Sequence, residues 1–251
     1  ATAIGWGIGV LTAIALLRGT SLPLNFGLLR HCRLIDPAMA IIKVGLPAAF
    51  SNAINPLGLS ILTALVALEG EAAVAGFGAA GRLQSFVIVP LLALSGAIGA
   101  IVGQNWGARE FGRAREAALY AAGFCVLWGM AVATGMMLAG EQFARLFTED
   151  PAVIAEFAMY LKIAAWGYAG FGLLIVGNGI MNAVDKAAFA LGQSVARVFL
   201  VMLPVSLVLQ PGMGSGAIYT AELAANLFGA VSAVVLVRHI FLRRDPAWAA
   251  R

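Results

Sequence analysis

The residues of this sequence that could do chemistry are ionisable side chains set inside long apolar runs: Arg82, Lys162, Arg197 and Glu222. A charge at the centre of a membrane helix costs about 2.5–3.5 kcal/mol by insertion scales, so it has to pair, reach an interface or line water. Arg82 follows Gly81 near one end of its run, and Lys162 lies about three turns into another. Both have stems long enough to carry their charge back to the interface, and both could instead face a pathway. Arg197 stands about ten residues into its run and is followed by Pro204, while Glu222 is two turns into the last run. A carboxylate in that position must be paired, protonated or solvated. Two roles fit: an ion pair with Arg197, or proton exchange during coupled transport.

Amides form the second set. Asn52 and Asn55 sit within one turn of each other beside Pro56, with Pro47 a few residues earlier. Pro56 has no N–H, so it is expected to leave a carbonyl near Asn52 unpaired and to kink the helix. Polar groups at membrane depth have to face protein or water. The pair therefore suits either a substrate or cation site lined by amides, or interhelical hydrogen bonding. Asn178 and Asn182, one turn apart, carry the same two readings.

Other chemistries have no footing in the sequence. His31 and His239 fall in or beside polar segments, and there is no paired-carboxylate cluster, HExxH or phosphate-binding GxxxxGK[ST] loop. Gly5-Trp6-Gly7-Ile8-Gly9 lies in an apolar helix with no strand before it, so it is not a dinucleotide turn. Cys32 and Cys125 have no metal-site spacing and read as small apolar residues. Neither an enzyme, a resident metal nor a cofactor is expected.

The elements that must position these residues are membrane helices. Of 251 residues, 61% are apolar and 11% charged, and mean hydropathy is +0.93. Soluble domains run about 45–50% apolar and about 25% charged. Thirty glycines suit helices that approach through small residues. Seven apolar segments are read at 1–17, 40–68, 77–103, 117–140, 152–180, 187–209 and 215–241, each near the ~20 residues a span needs. They are too long, and too uniformly apolar, for the alternating ~10-residue strands of a β-barrel. The fold class is all-α, a polytopic helical bundle.

Basic residues set the orientation. All but Arg82, Arg145, Lys162 and Arg197 of the 16 Lys and Arg lie on one set of alternate loops, at 18–43, 104–116, around 186 and from 238 onward. The positive-inside rule then puts the C-terminus in the cytoplasm and Ala1 outside. The net charge of +4 is a topology signal, and no nucleic-acid partner is needed to explain it. The chain opens on Ala1 inside an apolar run with no basic n-region, as a fragment would. The polar stretch 18–39, with Pro23 and Pro37, is the best linker between a lone first helix and the six that follow.

Three stretches in order resemble the MATE (multidrug and toxic compound extrusion) family. Gly45-Leu46-Pro47 resembles the "GLP" start of that family's seventh helix. Gly81-Arg82, Pro90 and Val102-Gly103-Gln104-Asn105-Trp106-Gly107-Ala108 resemble the eighth helix and its "GQNxGA" exit. Arg197 with Pro204, then Glu222 after a short Gly-rich loop, is similar to the last two helices. In the exit motif Gln104 and Asn105 can satisfy terminal carbonyls and Gly107 can break the helix, a structural role.

The resemblance implies two six-helix lobes that rock between outward- and inward-open states around a central substrate. Residues 1–17 would be the last helix of the N-terminal lobe, 18–39 the cytoplasmic inter-lobe linker, 40–241 the C-terminal lobe and 242–251 a cytoplasmic tail. The implied activity is secondary active efflux of small organic cations coupled to proton or sodium entry in a bacterial inner membrane. Its implied partners are the lipid bilayer and the N-terminal lobe. In the sodium-coupled branch an acid stands eight residues past the Pro of "GLP", and here that position is Asn55. A second-lobe sodium site of that type is therefore not expected. The proton is favoured, with coupling through a first-lobe carboxylate that this chain does not contain, and Glu222 is the only mid-span acid available here. A flippase for lipid-linked oligosaccharide is the alternative within the same superfamily, since Arg82, Lys162 and Arg197 could hold a pyrophosphate. A seven-helix photoreceptor would need a Schiff-base Lys in 215–241, which has none.

Overall fold

The computed structural model describes residues 2–17 and 35–244, and all of them are helical or in short turns. Arg18, Pro23, Arg30, His31, Cys32 and Arg33 of the expected linker, and residues 245–251 of the expected tail, lie outside the described residues. The chain divides into one unit of residues 1–43 and another of residues 44–251. The first contains α1 (Thr2–Leu17) and the start of α2 (Ile35–Val66).

The second unit continues with α3 (Glu71–Gly107), α4 (Phe111–Arg145), α5 (Pro151–Ala164), α6 (Tyr168–Ala183), α7 (Ala187–Ala196), α8 (Leu203–Met213) and α9 (Ser215–Leu242). A 3₁₀ turn, Ala165–Gly167, joins α5 to α6, and a π turn, Arg197–Met202, joins α7 to α8. Six stretches of the described residues are long and apolar enough to cross a membrane: Pro37–Glu69, Glu71–Gly107, Phe111–Arg145, Pro151–Ala183, Ala187–Met213 and Ser215–Leu242. In the segment read as the first of seven spans, the apolar helix counted is the shorter Gly7–Leu16. The helices outrun the apolar segments because hydropathy marks the stretch in hydrocarbon, whereas the backbone stays helical into the polar ends. At about 1.5 Å per residue, the 37 residues of α3 extend about 55 Å, well beyond a ~30 Å hydrocarbon core.

Turn chemistry sets the boundaries. The α3 exit closes as a Schellman motif: Glu110 N–H donates to the Asn105 carbonyl at 2.8 Å and Arg109 N–H to that of Trp106 at 3.1 Å. Asn105 Nδ2 also donates to the Ile101 carbonyl at 2.8 Å, as expected of an amide at a helix end. The residue that turns left-handed is Arg109 (φ 62°), not Gly107, which remains the last helical residue. Trp106 packs edge-on against Phe111 and Phe241, fixing this turn to both α4 and the end of α9. Asp150 caps α5 by accepting from Ala152 N–H at 2.8 Å, with Pro151 at the first helical position. α2 is helical on both sides of Pro47 and Pro56. α8 likewise continues through Pro211 to Met213, so the gap between the apolar segments read at 187–209 and 215–241 shrinks to Gly214 (φ 54°).

The α5–α6 stretch is the core of the bundle. Within Pro151–Ala183, 67% of the most apolar window is buried, against 22–33% for the other five spans. α6 packs against α3, α4 and α9. Small residues permit this: a Cβ on Gly129 would collide with the Ala169 backbone, and one on Gly170 would stand 2.5 Å from the Asn226 carbonyl oxygen. Aromatic residues fill the remainder, with Phe77 stacked on Tyr219 and edge-on to Tyr160.

Candidate functional site

Eight polar residues of the helix interiors line one cavity of about 490 Å³ within the second unit. Asn52, Asn55 and Pro56 reach it from α2, Gln84 and Ser95 from α3, Phe171, Asn178 and Asn182 from α6, Arg197 from the π turn, and Glu222 from α9. Leu59, Leu62, Ile88 and Leu92 supply an apolar wall. The residue types suit a ligand with both apolar and polar parts.

Arg197 is 6% exposed. Its Nη1 donates to Asn55 Oδ1 at 3.0 Å and its Nη2 to Asn226 Oδ1 at 2.7 Å. The guanidinium carbon lies 4.9 Å from the centre of the Phe171 ring, within cation–π reach. Two amide oxygens and an aromatic face thus compensate a cation that would otherwise be costly among helices. Nε has no hydrogen-bond partner among the described residues. The π turn follows from Pro204, whose missing N–H breaks the α-helical hydrogen-bond pattern just downstream. Leu203 N–H consequently donates five residues back, to the Val198 carbonyl.

Glu222, also 6% exposed, takes its hydrogen bonds from other residues. Gln84 Nε2 donates to Oε1 at 2.9 Å, and the Tyr160 hydroxyl lies 3.2 Å from Oε1 and 3.1 Å from Oε2. Arg197 and Glu222 thus line one cavity with hydrogen bonds to different neutral partners, Arg197 to amides and Glu222 to an amide and a phenol, while their opposite charges still attract each other. A carboxylate held by neutral donors stays available to a proton or a cationic group in a way that an ion-paired one does not.

A further network lies where α2, α6 and α7 meet. Ser51 and Ser194 hydroxyls are 2.9 Å apart, Asn178 Nδ2 donates to Ser194 Oγ at 3.2 Å, and Gln193 donates to Asn178 Oδ1. Ser51 Oγ also donates to the Ala190 carbonyl at 3.2 Å. This ties Asn178 to α7, and the same residue also lines the cavity.

Arg82 and Lys162 are exposed, and neither is among the cavity residues. Gly45, Gly103, Gln104, Asn105 and Gly107 likewise lie away from the cavity, in the backbone motifs that shape the helices. Pro47 is also outside it, whereas Pro56 is part of its wall. Sequence reasoning missed Gln84, Tyr160, Phe171 and Asn226. For Asn226 a signal existed: it stands one turn after Glu222 and shares its face. A carboxamide at 84 inside an apolar run was a weaker signal, and Tyr160 and Phe171 gave none among so many aromatics.

A family model, MatE, matches residues 47–208, which contain every cavity residue except Glu222. The chain belongs to the MatE family. Two relatives and one solved structure are similar to it. The FAD transporter of Shewanella oneidensis is 31% identical over 160 residues, 64% of this chain and 35% of its own length. The probable multidrug resistance protein YpnP of Bacillus subtilis is 26% identical over 204 residues, 81% of this chain and 46% of its own length. The Vibrio cholerae MATE transporter VcmN in its bent form superposes with a TM-score of 0.83 at 23% identity, covering 97% of this chain and 55% of that one. The chain spans about half or less of the length of the relatives it matches. Membership of this family, together with six stretches of the described residues long and apolar enough to cross a membrane, shows an integral membrane protein.

Proposed function

We propose that this chain forms the C-terminal half of an ion-driven exporter of small organic cations, paired with an N-terminal lobe and working by alternating access. The observation that carries this reading is Glu222: a carboxylate in the wall of a mixed polar and apolar cavity, bound by Gln84 and Tyr160 rather than by Arg197. In the proposed cycle the carboxylate attracts the cationic group of the substrate while the apolar wall takes its hydrophobic part. A proton arriving on Glu222 cancels that attraction and releases the substrate on the far side. Substrate and proton compete for one group, which is the exchange an antiporter requires. Asn55, at the position where the sodium-coupled branch carries an acid, favours the proton as coupling ion. The distribution of Lys and Arg favours a cytoplasmic C-terminus in a bacterial inner membrane.

A second reading, an aromatic anion, is supported by Arg197 over Phe171 and by the relative named as an FAD transporter. The lipid-linked oligosaccharide flippase has less support, because Arg82 and Lys162 stand outside the cavity and leave Arg197 alone to hold a pyrophosphate.

The test uses the chain extended to its natural start and reconstituted in liposomes. Uptake of a fluorescent lipophilic cation is followed under an imposed proton gradient, then under a sodium gradient, with FAD as the competing substrate. Cation uptake driven by protons supports the proposal. Uptake of FAD without the cation would replace it with the anion reading, and inactivity toward both, from folded protein, would leave the flippase.

A further inference from the structure

A second concavity, of about 290 Å³, is cut into the side of the same helical unit, away from the polar cavity. It is a slot floored by α6, with Leu173, Val176, Gly177 and Ile180, and walled by α4 and α9. On α4 its residues are Arg115, Ala118, Leu119 and Ala122, spaced by three and four so that they line one face. On α9 they are Ala233, Val234, Val237, Arg238 and Phe241, again on one face. Apart from the two arginines the lining is wholly apolar. The seven helical rises from Arg115 to Ala122 give it a depth of about 10 Å, roughly two-thirds of one ~15 Å leaflet.

The two arginines share one end of the slot because α4 begins where α9 ends. That end of the bundle is rich in basic residues, with Arg109, Arg113, Lys186, Arg243 and Arg244 nearby in the connecting turns and helix ends. Leu119 is 59% exposed and Val234 49%, so the walls open to the surroundings of the bundle. Arg115 and Arg238 each engage other groups as well, but a guanidinium carries five N–H donors. An apolar slot along a membrane span with two such groups at its interfacial end suits an acyl chain in the slot and a phosphate at the guanidinium groups.

We propose that this slot binds one anionic phospholipid from the surrounding leaflet. Its headgroup phosphate sits at Arg115 and Arg238, and an acyl chain lies along α6 between α4 and α9. The lipid would clasp α4 near its start to α9 near its end. The proposal is independent of what the polar cavity carries.

The whole transporter, released from detergent micelles and offered an equimolar mixture of dioleoyl-phosphatidylglycerol and dioleoyl-phosphatidylcholine, is examined by native mass spectrometry. One phosphatidylglycerol adduct is expected in preference to phosphatidylcholine. Each basic residue near the membrane surface is worth a factor of about five, so Arg115→Gln with Arg238→Gln should weaken the adduct about thirtyfold. Arg115→Lys with Arg238→Lys keeps the charges and should retain it within about fivefold. Arg113→Gln with Arg243→Gln removes two neighbouring charges outside the slot and should leave it within about twofold. Ala122→Phe fills the slot with the arginines intact and should abolish the adduct, which decides the matter if the double glutamine variant fails to insert. Equal binding of phosphatidylcholine, or equal loss in the Arg113 and Arg243 pair, would overturn the proposal in favour of diffuse surface electrostatics.

Discussion

Gly170→Ala should destabilise this protein by about 2–5 kcal/mol, although in an unhindered helix the same substitution stabilises by about 0.5–1 kcal/mol. The reason is the approach of α9 to α6. A Cβ at position 170 would stand 2.5 Å from the Asn226 carbonyl oxygen and 3.0 Å from its carbonyl carbon. Both are backbone atoms, so no side chain can rotate away and α9 itself must move. Overpacking of this kind costs about 1–3 kcal/mol. Asn226 also holds Arg197 Nη2 at 2.7 Å, so the movement strains a hydrogen bond to a buried cation, worth about 1.5–3 kcal/mol. Subtracting the gain in helix propensity leaves the range above. The control is Gly135→Ala on the exposed side of α4, where an added Cβ meets nothing within 4 Å. It should be neutral or stabilising by up to about 1 kcal/mol. Unfolding of both variants in mixed detergent and dodecyl sulfate micelles, followed by circular dichroism, measures the difference. Equal stability of Gly170→Ala and Gly135→Ala would refute the claim that glycine at 170 sets the helix separation.

Three further outcomes follow from the cavity and the core. Glu222→Gln keeps a side chain that can bond Gln84 and Tyr160, so folding and membrane insertion should survive while proton-driven uptake in liposomes falls at least tenfold; wild-type uptake would remove Glu222 from coupling. Arg197→Lys cannot reach Asn55 and Asn226 with one planar fork, and it should destabilise by about 1–3 kcal/mol in the same unfolding assay. Cys125 is fully buried in α4, so in a Cys32→Ser background its alkylation by a maleimide should be slow in folded protein and complete within the same time after unfolding.

The spans were legible because hydrocarbon imposes a length and a composition that few other environments do. The breaks within them were less so. Residues 152–180 look like one uninterrupted apolar run, yet a 3₁₀ turn at Ala165–Gly167 divides α5 from α6. Pro204 hinted at the π turn, but a proline does not say whether the helix will kink, end or widen. Arg197, Glu222, Asn52, Asn55 and Asn178 could be picked out because polarity in an apolar run is conspicuous, and the structure places all five on one cavity. Which of them bond one another could not be read. Arg197 is bonded to Asn55 and Asn226 because the crossing of α2, the π turn and α9 brings them together, and no spacing rule relates residues on different helices. Arg82 and Lys162 are just as conspicuous in sequence and lie outside the cavity, since a helix apolar on every side does not reveal which face is turned inward.

The deep burial of α6 has a consequence for how the protein is made. A membrane helix is usually released sideways into lipid once it is synthesised, but α6 in the finished protein has few surfaces that meet lipid. Two of its three covering helices, α3 and α4, are already in place when it emerges, whereas the third, α9, is the last described helix of the chain. At about 5–20 residues per second, the roughly 60 residues from Ala183 to Leu242 take some 3–12 seconds to translate. Throughout that interval the face of Gly167 and Gly170 that receives Asn226 lacks its final cover. The nascent chain therefore needs a sheltering surface at its insertion machinery until α9 arrives, and a ribosome stalled between α7 and α9 would leave an intermediate open to helix exchange with its neighbours.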